Sequence, residues 1–285
     1  MALLQRSSWG VAVQAAANRQ YARGLSRGFG GALLFAFPLL MTMEMWQLGF
    51  SMERGRLLIL LLVSLPMLLG LSYFSGFEQT FRLKDEILDA LAALAIGILL
   101  ATAMLAIFGV LGADHPLSEN VGKITLCAIP GAMGALLAGK QLGGEAAMAA
   151  RPKADGGYLG ELFTMMVGGL FLAFNVAPTE EIVLIAYQMT ELHTLALMAL
   201  SIGLLHVIVY ELGFPGEDLR RQTRGLRRTL LSFTVPGYGL ALLISLYCLW
   251  TFGRLDGISL HEATAMTVVM AFPAALGCAT ARLVI

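Results

Sequence analysis

Between Gly28 and Ser51 the chain carries one charge, Glu44. About 20 apolar residues in a helix cross the hydrocarbon core of a bilayer, so this run is long enough to span one. Hydrocarbon offers no partner for backbone N–H and C=O groups, so a lone spanning segment of this length has to be helical. Seven more apolar segments follow between polar residues, at about 56–77, 87–112, 121–142, 159–189, 193–213, 228–252 and 261–284. The fold class is therefore all-α, a polytopic membrane protein with eight transmembrane helices. Composition agrees, since 58% of the 285 residues are hydrophobic and 13% are charged, against about 25% charged in soluble domains. Mean hydropathy is +0.76.

The formal net charge is zero, yet the 19 Lys and Arg residues are unevenly placed. With the N-terminus in the cytoplasm, only Arg54, Arg56, Lys123 and Arg254 lie outside. The positive-inside rule then sets both termini in the cytoplasm. The juxtamembrane run Arg220-Arg221-Gln222-Thr223-Arg224-Gly225-Leu226-Arg227-Arg228 is explained by topology alone and will also attract anionic lipid headgroups. Residues 1–26 read as a basic cytoplasmic arm. Cys127, Cys248 and Cys278 fall in apolar runs with no metal-site spacing and read as small buried hydrophobes.

A second regularity is internal. At an offset of 137, Gly31 meets Gly168, Ala36-Phe37 meets Ala173-Phe174, Thr42 meets Thr179 and Glu44 meets Glu181. Ser64, Tyr73 and Gly76-Phe77 meet Ser201, Tyr210 and Gly213-Phe214 in the same register. At an offset of 143, Pro130, Ala132 and Gly134 meet Pro273, Ala275 and Gly277. This reads as a duplication: repeat 1 over 27–142, a cytoplasmic linker over 143–157 and repeat 2 over 158–285. Four spans per half is an even number, which predicts parallel repeats related by an axis along the membrane normal. Glu44 and Glu181 then share one depth, in the outer half of the bilayer.

An ionisable group inside a membrane helix is costly and is by default a functional-site candidate. Glu44 and Glu181 are such a pair, expected at the interface of the two repeats, with Glu180 as a further carboxylate and Thr42 and Thr179 as hydroxyl ligands two residues before each duplicated glutamate. Pro38 and Pro178 remove backbone donors nearby, which predicts bent or unwound helices whose freed carbonyls add oxygen ligands. Pro130, Pro236 and Pro273 are expected to act similarly in their own spans. The alternative is that both glutamates hydrogen-bond to neighbouring helices and hold the bundle together. His206 and Glu211 in the sixth span form a weaker candidate, a proton relay toward the cytoplasm. A histidine bonded to a neighbouring carbonyl is the plainer reading. Asp85, Glu86 and Asp89 open the third span as ordinary first-turn acids, with Asp89 deep enough to reach an inner vestibule. Trp46 and Tyr187 suit an interfacial aromatic belt.

No Gly-rich phosphate loop, His-Glu-x-x-His, Gly-x-Ser-x-Gly or Cys-x-x-Cys pattern is present. The chain is read as a non-enzyme without a cofactor and without a nucleic-acid partner.

The stretch Arg27-Gly28-Phe29-Gly30-Gly31-Ala32-Leu33-Leu34-Phe35, running into Pro38-Leu39-Leu40-Met41-Thr42-Met43-Glu44-Met45-Trp46, resembles a bacterial family of eight-span integral membrane proteins of unknown function. Thr42-Met43-Glu44-Met45-Trp46 is the most specific part of the likeness. The resemblance implies a bacterial inner-membrane location and a small conserved membrane-associated partner protein, often encoded beside it. It supplies no activity. Asn175-Val176-Ala177-Pro178-Thr179-Glu180-Glu181 is also similar to the broken helices of cation exchangers, although those have odd-span inverted repeats. The residues favour a transporter or channel for a cation or protons, surrounded by lipid and open to homo-oligomerisation. A non-transporting subunit that anchors a partner complex is the alternative.

Overall fold

The computed structural model describes residues 22, 24–75, 83–141, 157–212 and 226–284. The basic arm before residue 22, the linker and Arg220, Arg221 and Arg224 lie outside them. Every regular element among the described residues is helical. In chain order they are α1 (Gly24–Leu40), α2 (Met43–Ser51), α3 (Arg54–Ser75), α4 (Leu83–Ile107) and α5 (Leu117–Gln141). Then come α6 (Gly157–Val176), α7 (Glu181–Gln188) and α8 (Glu191–Leu212). α9 starts as Leu226–Thr229, passes through a π-helical turn at Leu230–Thr234 and continues as Val235–Thr251. α10 is Leu260–Val284.

Seven helices are long and apolar enough to cross a bilayer alone, and α1 with α2 makes an eighth if that bent pair is one span. The two bend by 81° at Met41-Thr42. The fifth apolar segment of the sequence likewise divides into α6 and α7, with Pro178 in the break. Pro130 and Pro273 behave differently from expectation, because α5 and α10 run straight through them. A proline forfeits one backbone bond, and both of these helices are clasped by neighbours on several sides. Pro236 sits just after the π turn, in the first turn of the regular part of α9.

The core is organised around the last helix of each half. α5 packs against α2, α3 and α4, while α10 packs against α6, α7, α8 and α9. Without a hydrophobic drive between helices in lipid, small residues that let backbones approach are the usual means of association. α5 supplies Gly131, Ala132, Gly134 and Ala135 for this, and α10 supplies Ala274, Ala275, Gly277, Cys278 and Ala281. A methyl placed on Gly134 would stand 2.7 Å from the Gly31 carbonyl oxygen. One placed on Gly277 would stand 2.8 Å from the Gly168 carbonyl carbon. These two crossings, α1 on α5 and α6 on α10, use residues that correspond at the offsets read from the sequence.

Two pairs of helix starts follow the same offsets, since α3 and α8 start 137 apart and α5 and α10 start 143 apart.

Contacts between the halves run through α1, α3, α5, α6, α9 and α10. Phe35 and Phe171 meet edge to face with centroids 4.8 Å apart. Phe163 rests on Gly70, where an added Cβ would lie 2.8 Å from its ring.

Candidate functional site at the helix breaks

The breaks after α1 and α6 leave terminal carbonyls without intrahelical donors, a cost unless other groups bond them. Side chains supply those donors. After α1, the Thr42 hydroxyl donates to Pro38 O at 2.6 Å and the Trp46 indole N–H to Leu40 O at 2.8 Å. After α6, the Thr179 hydroxyl donates to Val176 O at 2.8 Å, while Asn175 donates back to Phe171 O, inside the helix, at 2.8 Å. Arg254, from the loop between α9 and α10, donates to Pro178 O. Both threonines expected as ligands thus close a break first, keeping oxygen lone pairs available.

The glutamates lie one step beyond. Glu44 stands in the first turn of α2 and is half-buried, and Glu181 opens α7 and is exposed. A carboxylate in a helix's first turn faces unpaired N–H groups and the positive end of the dipole. Glu180 is exposed and lies 3.9 Å from Arg254. α2 packs on α5 and α7 on α10, so each glutamate is held within its own half. Among the described residues no three His, Cys, Asp or Glu side chains converge closely enough to hold a metal ion.

Further polar groups gather on this face, which is called here the loop face because the α4–α5 and α9–α10 loops lie on it. Arg56 makes a two-pronged pair with Asp256, both contacts at 2.8 Å, and donates to Trp250 O at 3.0 Å. Its guanidinium also lies 5.3 Å from the Trp250 ring centroid. This ties α3 of the first half to the α9–α10 loop of the second. The Arg56 guanidinium holds the Asp256 carboxyl below the usual carboxylate range. On α5, Lys123 is buried and its ammonium lies 2.6 Å from Glu119, 3.2 Å from Val110 O and 3.5 Å from His115.

The second candidate lies toward the other end of the bundle. His206 on α8 is half-buried and its Nδ1 is 2.8 Å from the hydroxyl of Thr234, a fully buried residue in the π turn of α9. Its partner is thus a side-chain hydroxyl and not the backbone carbonyl of the plainer reading. Glu211 is exposed, one turn and more beyond it. Glu86 and Asp89 on α4 are buried, and Ser72 donates to Glu86 at 3.1 Å. A first-turn position hid this for Glu86 in the sequence. A signal was nevertheless present, because an interior face of α4 requires burial at steps of three and four, the spacing of Glu86, Asp89, Ala90 and Ala93.

Residues 24–285 match the family model described as "Putative integral membrane protein (DUF2391)". The chain belongs to DUF2391. The match covers all ten helices, so the breaks, the two glutamates and the loop-face ion pairs all lie within the DUF2391 region. No curated protein and no solved structure is significantly similar to the chain. DUF2391 is a family of integral membrane proteins of unknown function, and a lipid bilayer is thereby its surrounding.

Proposed function

We propose that this protein is a transporter for a cation or protons, built from two parallel repeats, with Glu44 and Glu181 as the cation-handling carboxylates. One observation carries the reading. Both halves break their first span at corresponding places, close the break with a threonine hydroxyl, and start the next helix with a glutamate. A helix interrupted near a charged residue is the usual setting for an ion site in secondary transporters. The matching helix starts and the matched glycine crossings support duplication, with each half of four spans inserted the same way. The basic-residue bias supports cytoplasmic termini, which makes the loop face the outer one. His206, Thr234 and Glu211 are the groups we assign to the inner end of the path. The Arg56–Asp256 pair fits an outer latch between the halves, because it is a two-pronged contact between them. Bacterial inner-membrane residence and association with a small membrane-associated partner remain parts of this reading.

The test is access. Cys127, Cys248 and Cys278 are buried, so background labelling by a membrane-impermeant thiol reagent should be low. Glu44→Cys and Glu181→Cys, introduced singly, should each label from the outside. Labelling of either from the cytoplasmic side alone would sink both the orientation and the site.

A further inference from the structure

A cavity of about 450 Å³ opens on the loop face of the second half, between the end of α7, the start of α8 and the start of α10. Tyr187, Glu191, Thr194, His261 and Glu262 give it polar walls, and Leu195 and Met266 give it apolar ones. The first half fills the corresponding place. At the offsets that align the helices, Glu191 corresponds to Arg54, Glu262 to Glu119 and Met266 to Lys123. There, the Lys123 side chain lies buried between α2 and α5 with its ammonium on Glu119 at 2.6 Å.

The difference in shape has a local cause. In the first half Gly49 and Gly122 let α2 and α5 touch through their backbones, and a Cβ at residue 49 would stand 2.6 Å from Lys123 N. In the second half those positions are Ala186 and Ala265, both in the cavity wall. Their methyls cannot share that distance, so α7 stands off α10 and leaves space where the first half has none. The difference in charge runs the same way. Two cations, Arg54 and Lys123, are replaced by Glu191 and the neutral Met266. The loop face of the second half carries Glu180, Glu181, Glu191, Asp256 and Glu262 against Arg254 among the described residues.

We infer that this cavity binds a small organic ammonium ion, which takes the place that the Lys123 side chain fills in the first half. Glu262 is the carboxylate that receives it. One of its oxygens accepts from Ser259 N at 2.8 Å, in a reciprocal cap completed by Glu262 N donating to Ser259 Oγ at 3.2 Å. An ionised carboxylate has about four lone-pair sites, so the cap leaves capacity for an ammonium. Glu191 supplies the second charge, and Leu195 and Met266 take the alkyl part. A bare metal ion suits the space poorly, because pockets of about 300–1,000 Å³ fit small molecules and Glu191 and Glu262 are its only carboxylates. The inference rests on the duplication reading but not on flux through Glu44 and Glu181.

The test is binding of n-butylammonium to the purified full-length protein by calorimetry, with n-butanol and potassium chloride as controls. One n-butylammonium per chain should bind, and neither control should compete at equal concentration. Glu262→Gln and Glu191→Gln should each weaken binding about tenfold. Met266→Lys should abolish it, by placing a built-in ammonium where the ligand sits. Butanol binding as well as butylammonium, or potassium competing equally, would overturn the inference. So would unchanged binding in a folded Met266→Lys protein. Whether the protein moves cations does not enter any of these outcomes.

Discussion

Gly277→Ala is the substitution whose cost the structure sets most directly. The new methyl would stand 2.8 Å from the Gly168 carbonyl carbon and 3.0 Å from Gly169 Cα, both backbone atoms. Ordinary contact begins near 3.4 Å, so α6 and α10 must part by several tenths of an ångström along their crossing. Inserting a methylene-sized group into a packed interior costs about 1–3 kcal/mol, and backbone on the far side puts this case toward the upper end. Gly134→Ala meets Gly31 O at 2.7 Å and Phe35 Cβ at 2.5 Å. Phe35 Cβ is held by its own backbone and the carbonyl by its helix, so neither can turn aside and a loss of about 1–3 kcal/mol is expected. Gly203→Ala and Gly239→Ala have nothing within 4 Å and should stay within about 0.5 kcal/mol of the parent, as surface substitutions do. Reversible unfolding in mixed micelles, followed by helical circular dichroism, measures all four. Equal stability of Gly277→Ala and Gly203→Ala would refute the close crossing of α6 and α10.

Asp256→Asn removes a pair whose acid is 58% exposed, so solvent screening limits its stability cost to about 0.5–1 kcal/mol, and the cost should shrink with added salt. Because Arg56 depresses the Asp256 carboxyl below its ordinary 3.8, the pair's contribution is complete above that value. It should disappear only as pH falls below 3.8 through the depressed value, so unfolding curves at pH 5 and pH 8 should show the same Asp256→Asn increment. Arg254→Ala withdraws the donor from Pro178 O, and hydrogen exchange of α7 amides should rise at least tenfold while those of α10 change little. Thr234→Val leaves His206 Nδ1 without its hydroxyl partner. The imidazole nitrogen chemical shifts of His206 should move in Thr234→Val and stay in place in Thr267→Val, whose hydroxyl bonds only within α10.

The spans and the two breaks were legible in the sequence because both are one-dimensional signals: apolar length, and a proline or polar cluster that interrupts it. Pro38 and Pro178 marked real breaks while Pro130 and Pro273 did not, since a proline's effect depends on whether neighbours clasp the helix on both sides. Burial of Glu86 was not legible, because a first-turn acid has a sufficient explanation in the dipole, whereas Asp89 lies about one turn further in, where its position along the span already set it deep. The second-half cavity was hidden for a different reason. It follows from Gly49 and Gly122 against Ala186 and Ala265, a difference of one methyl group at each position that matters only when two backbones face each other. The Glu119–Lys123 pair could have been found by asking which charges lack a counterpart at an offset of 143. That question separates Lys123 from Met266 directly.

Cation flux into sealed vesicles tests the central claim most directly. Purified protein is reconstituted into liposomes loaded with a pH-sensitive dye, a cation gradient is imposed, and the initial rate is compared with that of empty vesicles. The wild-type protein should carry cations or protons above the empty-vesicle rate, and Glu44→Gln and Glu181→Gln should each reduce that rate at least tenfold while insertion and helical content are kept. A wild-type rate equal to that of empty vesicles, or full rates in both glutamine variants, would contradict the account.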